Sequence, residues 1–210
     1  MTERGKQKNI DLLSTVLSLI FHPVFIPVYG LLIIFYSPTF MVHLPAQLKR
    51  IMFLLAAINM TVIPLAMMPL LKYRNIISSY HMDARSERIF PLALASMMYI
   101  VTTIIFYSYQ IPLIIKSFML AAAITSVMIL LTTFFWKISV HAAGMGALLA
   151  TAVVLSLRMR TDLSVVLIPL LLISGMVISA RLYLSSHRPA QVYTGFLLAF
   201  VTVFLVMMIS

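Results

Sequence analysis

At 210 residues, with 62 % hydrophobic and only 10 % charged side chains, the chain is too apolar for a soluble domain and has room for one compact membrane bundle. A net charge of +10 points to nucleic acid in a soluble protein, but no basic tract interleaved with aromatics is present, so the charge is assigned to loops that meet lipid headgroups and no nucleic-acid partner is expected. The absence of cysteine excludes disulfides and thiolate metal sites.

In chain order, Met1–Asn9 reads as a polar basic tail with Arg4, Lys6 and Lys8, ahead of a single membrane domain over residues 10–210. The apolar run Leu12–Phe21 resembles a signal peptide, yet no small-residue cleavage site follows it, so it is expected to be retained. His22-Pro23 interrupts the run, which resumes through Tyr36. It is either one kinked span or an interfacial half-helix followed by a span reaching Met41. Pro23 and Pro27 fit only where neighbouring helices cover the freed carbonyls. Further spans are expected at 51–71, 90–109, 113–136, 142–157, 163–180 and 192–209, near the ~20 residues a bilayer requires. The predicted class is therefore an all-α, polytopic membrane bundle of six to seven spans. The fifth span, bounded by His141 and Arg158, reads as short.

Parity places the loops at 72–89, 137–141 and 181–191 on one membrane face, because two spans separate each from the next. The first carries His81, Asp83, Arg85, Ser86, Glu87 and Arg88, with Pro91 just beyond. The second carries Lys137, Ser139 and His141 and runs into Ala-Ala-Gly-Met-Gly-Ala, small residues that let helices approach closely. The third holds Arg181, Ser185, Ser186, His187, Arg188 and Gln191, more hydrogen-bonding equipment than a turn needs. Pro189 suits the first position of the last helix, where its missing N–H is no loss. His187 then stands at a helix mouth, where free N–H groups and the dipole favour an anion. Gln191 is within reach of its ring if the helix begins early enough, and Arg181 supplies a fixed positive charge. The arrangement suits a phosphate. The opposite face holds Lys49, Arg50, Lys116, Arg158, Arg160 and Asp162, with His43 its only histidine.

Simpler assignments cover the other candidates. Lys72 and Arg74 read as headgroup anchors. A histidine at a membrane helix end usually hydrogen-bonds an interfacial carbonyl, the role expected of His43 and His22, although His22 before Pro23 is also placed to face the pocket. No ligand spacing suggests a metal site, since no carboxylate stands beside His141 or His187.

Three motifs in this order resemble those of the type 2 phosphatidic acid phosphatase superfamily, integral-membrane lipid phosphatases that share a helical core with vanadium haloperoxidases. The family pattern is K-x6-R-P, then P-S-G-H, then S-R-x5-H-x3-D. The third motif here is Ala180-Arg181-x5-His187-x3-Gln191, matching at Arg and His and departing at Ser and Asp. The second is Ile138-Ser139-Val140-His141, matching at Ser and His. In the first, Arg88 fits the arginine, His81 stands where the lysine would be, and the proline arrives late at Pro91. The resemblance covers about residues 72–209 and looks closest to a divergent bacterial branch.

That resemblance implies a phosphatase-like core in which His187 attacks phosphorus to form a phosphohistidine, splitting one difficult displacement into two. It implies that His141 protonates the leaving oxygen and then activates water. Arg88, Arg181, Ser139, His81 and Arg85 would hold the nonbridging oxygens, and Gln191 would orient the nucleophile in place of the family's aspartate. Neither metal nor other cofactor is implied. The implied substrates are lipid phosphates or diphosphates, whether an isoprenoid carrier diphosphate, a phosphatidate-type lipid or a lipid A phosphate. The implied place is the bacterial inner membrane, with the pocket towards the periplasm. Lysine and arginine counts taken alone favour the cytoplasmic side for that face; without Arg85, Arg88, Arg181 and Arg188 the two sides are nearly level. Two other functions fit the residues: a catalytically inactive relative that binds phospholipid headgroups, suggested by Gln191, and a transporter, suggested by intramembrane histidines.

Overall fold

The computed structural model describes residues 3–80, 82, 84–184 and 188–210, with side chains from Gln7 onward. Nine α-helices are found among these residues: α1 Glu3–Ile20, α2 Ile26–Tyr36, α3 Ala46–Ala56, α4 Ile63–Tyr73, α5 Arg85–Ser108, α6 Leu113–Thr133, α7 Val140–Met159, α8 Ser164–Tyr183 and α9 Pro189–Ile209. They make seven stretches long and apolar enough to cross a membrane: α1 with α2 (Gln7–Tyr36), α3 with α4 (Ala46–Tyr73), and each of α5 to α9. The protein is a multi-pass all-α bundle. Hydrocarbon offers no partner to a backbone N–H or C=O, so segments of this composition satisfy their backbone internally as helices.

Several boundaries differ from those expected. The segment read as a basic tail is helical from Glu3 and continues into α1. The fifth span is not short. Helix α7 has 20 residues and includes both His141 and Arg158, because each polar head finds a tertiary partner; the Arg158 Nη1 donates to Met207 O of α9 at 2.7 Å. Arg160 then ends the helix in the left-handed region, with φ 49°. Helix α5 starts at Arg85, so Arg85, Glu87 and Arg88 lie in its first turn rather than in a loop.

The first span breaks where the sequence reading placed the kink. Helix α1 ends at Ile20, a single tight turn spans Pro23–Phe25, and α2 restarts at Ile26. Between α3 and α4 the helical rod continues through a widened turn, Ala57–Val62, in which the Ile63 N–H reaches Ile58 O. Such turns occur where the regular ladder is interrupted, here beside Pro64. From that turn the Thr61 hydroxyl donates to Val24 O at 2.8 Å, covering a carbonyl in the α1–α2 break.

Helix α7 is the axis of the bundle, packed by α9, α8 and α2. Its small residues let neighbouring backbones come close. A Cβ at Gly146 would stand 2.3 Å from Phe196 O of α9, and one at Gly144 2.6 Å from Ile26 Cγ1 of α2. Helix α9 runs parallel to α7, since Gly195 lies against Ser139 at one end and Met207 meets Arg158 at the other. In the largest buried cluster Leu31, Ile34 and Phe35 of α2 meet Phe118 and Met119 of α6 and Val154 and Leu155 of α7. Against lipid, such packing acts through dispersion and close fit more than through water release.

Candidate functional site

The beginnings of α5, α7 and α9 lie at one end of the bundle and are tied together by hydrogen bonds to backbone carbonyls. The Arg85 Nη1 donates to Phe135 O at 2.6 Å, joining the start of α5 to the segment before α7. The Ser139 N–H donates to Gln191 O at 3.0 Å, joining the start of α7 to the first turn of α9. Gly195 permits this second contact, because a Cβ there would stand 2.6 Å from Ser139 O.

Ser139 is fully buried and caps α7, its Oγ accepting from the Ala142 N–H at 3.4 Å. The cap sets the first turn of α7, and His141 projects from that turn towards the end of α1. Its Nε2 lies 3.1 Å from Ser18 O. A carbonyl can only accept, so this contact places a proton on Nε2. Arg181, in the last turn of α8, donates from Nη1 to the Ser18 Oγ at 3.4 Å, and its buried Nε has no hydrogen-bond partner. The structure thus brings His141 and Arg181 onto the two oxygens of one residue.

His22 completes the group. Its ring lies edge-on to that of His141, with centroids 5.4 Å apart and planes at 86°. The His22 Nδ1 accepts from the Val24 N–H at 3.4 Å, which leaves the ring proton of the neutral form on Nε2. The sequence reading gave His22 either an interfacial carbonyl or a place facing the pocket, and the structure sets it beside His141; Ser18 had no role in that reading. The available signal was Pro23: a proline halts the helix before it and leaves carbonyls that need donors.

Those carbonyls can be followed one by one. Leu17 O accepts from the Phe21 N–H at 3.0 Å and Leu19 O from the His22 N–H at 3.3 Å. Ile20 O accepts from the Tyr29 hydroxyl at 2.9 Å. Ser18 O has lost its helical donor, since the His22 N–H has turned to Leu19, and it meets the His141 imidazole instead. The negative dipole end of α1 therefore faces an imidazole N–H and a guanidinium, contacts worth ~0.3–1 kcal/mol at a surface and up to ~2 kcal/mol when partly buried.

The remaining candidates are placed as follows. Arg88, in the first turn of α5, donates from Nε to Met82 O at 2.9 Å. Glu87 accepts from the Ser78 N–H at 3.0 Å through Oε1, and its Oε2 is buried without a partner. Arg85 and Arg88 share with His141 the same end of the bundle, where they engage backbone carbonyls. The Gln191 Oε1 accepts from the Arg188 N–H at 2.9 Å, closing the first turn of α9, with Pro189 at the expected first position. His187 and His81 lie outside the described residues. No three His, Asp or Glu side chains converge as a metal site among the described residues. Two imidazoles and a guanidinium gathered at the end of α1 are suited to an anion, with N–H donors at hand and a proton on Nε2 of His141.

Comparison of the chain with family models, curated proteins and solved structures gives no match.

Proposed function

We propose that this protein is a multi-pass phosphatase of a lipid phosphate or diphosphate, working through a phosphohistidine on His187. The observation that supports this most directly is the meeting of His141 and Arg181, from separate polar clusters, on the two oxygens of Ser18. The Ser139 to Gln191 backbone bond beside them links the same two clusters. In the proposed cycle a nitrogen of His187 bonds to phosphorus as the P–O bond to the lipid breaks. The departing oxygen takes the Nε2 proton of His141, which acts as imidazolium and is left as neutral imidazole. That imidazole then removes a proton from water, whose oxygen displaces the histidine and releases phosphate. Arg181, with Arg88, Arg85 and His81 on the same face, offsets charge on the nonbridging oxygens. The reading places the protein in the bacterial inner membrane with this face towards the periplasm.

A second reading, headgroup binding without turnover, is favoured by one specific contact. The Gln191 carbonyl oxygen is engaged by the Arg188 N–H, and a neutral amide stabilises a charged imidazole less than a carboxylate. In a serine protease triad the corresponding acid-to-amide change costs ~10⁴ in rate.

Purified protein is assayed for phosphate release from phosphatidate, isoprenoid diphosphate and lipid A phosphate, with His187→Ala and His141→Ala alongside. Turnover should fall by at least ~10²-fold in either variant, and acid-labile phosphoprotein should disappear in His187→Ala. Release unchanged in both variants discards the mechanism. Binding that is lost in Arg181→Ala, with no release even in Gln191→Asp, selects the second reading.

A further inference from the structure

Helix α1 is turned the opposite way to an ordinary surface helix. Ser14 and Ser18 are buried against the bundle, while Leu12, Leu13, Leu19 and Ile20 on its other sides are exposed. Its apolar side faces outward, as suits lipid, and Ser18 of its narrow polar stripe lies against His141 and Arg181. The helix packs mainly on α8. It joins the bundle through the break at His22-Pro23 rather than through a continuous helix. A carbonyl, a hydroxyl and a helix dipole end thus sit where an anion would have its oxygens, and one guanidinium N–H remains without an acceptor.

We propose that the C-terminal turn of α1 is a displaceable strap: Ser18 occupies the anion site in the closed form, and an anionic headgroup enters by taking His141 and Arg181 from it. This rests on the reading of that group as an anion site and adds its regulation. Three features support displacement over permanent capping. The contacts that hold Ser18 are few, with the Arg181 bond long at 3.4 Å. A phosphate offers full charge and several acceptors where Ser18 offers two neutral oxygens. The His22-Pro23 break supplies a hinge, since the helical ladder is already interrupted there. In the closed form the Nε2 proton of His141 is held on a backbone carbonyl and is unavailable to a leaving group, so displacement would also gate the chemistry.

The chain has no cysteine, so Leu13→Cys on α1 and Leu171→Cys on α8, both 58 % exposed, can be spin-labelled in the full-length protein and their separation measured by pulsed EPR. The probe is a phosphonate analogue of phosphatidate, whose C–P bond resists hydrolysis, in phosphatidylcholine nanodiscs. A second, different distance should appear with the phosphonate and not with phosphatidylcholine alone. Ser18→Ala, which removes the hydroxyl under Arg181, should raise apparent affinity ~2- to 10-fold, the equivalent of one hydrogen bond. Binding by Ser18→Ala but not by the unaltered protein equally supports the strap. Phosphonate binding with an unchanged distance and unchanged Ser18→Ala affinity overturns the strap and leaves the anion site standing. Binding by neither protein overturns both.

Discussion

The close approach of α9 to the start of α7 is testable with one methyl group. In Gly195→Ala the added Cβ would stand 2.6 Å from Ser139 O, against the 3.4 Å at which ordinary contact begins. The backbones must therefore separate by 3.4 − 2.6 = 0.8 Å. Both surfaces are backbone, so no flexible side chain absorbs the displacement. If the separation falls on the neighbouring bond, Ser139 N to Gln191 O opens from 3.0 Å to about 3.8 Å, past hydrogen-bonding range. Overpacking costs ~1–3 kcal/mol, an unsatisfied buried N–H another ~1–3 kcal/mol, and the better helix propensity of alanine returns ~1 kcal/mol. The net loss is about 1–5 kcal/mol by these terms. Gly175→Ala is the internal control, because nothing lies within 4 Å of a Cβ there; it should be neutral or stabilising by up to ~1 kcal/mol. Thermal unfolding in detergent compares the two, and hydrogen exchange of the Ser139 amide reports the bond directly. Equal midpoints, with the Ser139 amide protected in both variants, would refute the close approach.

Lys49 is almost fully buried and donates from Nζ to Val42 O at 2.6 Å and Phe35 O at 3.4 Å, bracing the turn between α2 and α3. Lys49→Met should therefore lower stability by ~2–4 kcal/mol through two deprived carbonyls, read as a fall in the unfolding midpoint; an unchanged midpoint would make the lysine a headgroup anchor instead. Asp162 accepts from the Ser164 hydroxyl and N–H ahead of α8, and these bonds hold its carboxyl below the usual carboxylate value. A depressed pKa contributes stability above the unfolded value and loses it as pH falls through the folded one. The unfolding midpoint of the unaltered protein should accordingly exceed that of Asp162→Ala at neutral pH, with the gap closing in acid; a gap independent of pH would assign the effect to something other than the ionised carboxylate.

Much of the architecture was legible in the apolar runs. Hydrocarbon forces each long apolar run to be a helix, so spans and parity follow from composition and run length, and the expected starts of α7 and α9 on one face agree with the bond between Ser139 and Gln191. The helix ends were less legible. Sequence reasoning stopped the fifth span at polar residues, whereas His141 and Arg158 sit inside α7 because Ser18 and Met207, far off in the chain, supply the carbonyls that receive them.

What the amino-acid sequence by itself determined is a membrane bundle with polar clusters gathered on one face, because these depend on local composition and on counting crossings. Only the tertiary structure decided that the end of α1 meets His141 and Arg181 and that His22 stands beside His141. Such pairings depend on which donor reaches a carbonyl freed by a break in a helix. Pro23 marks that break in the sequence, but the donor arrives from another helix, and no local pattern names it.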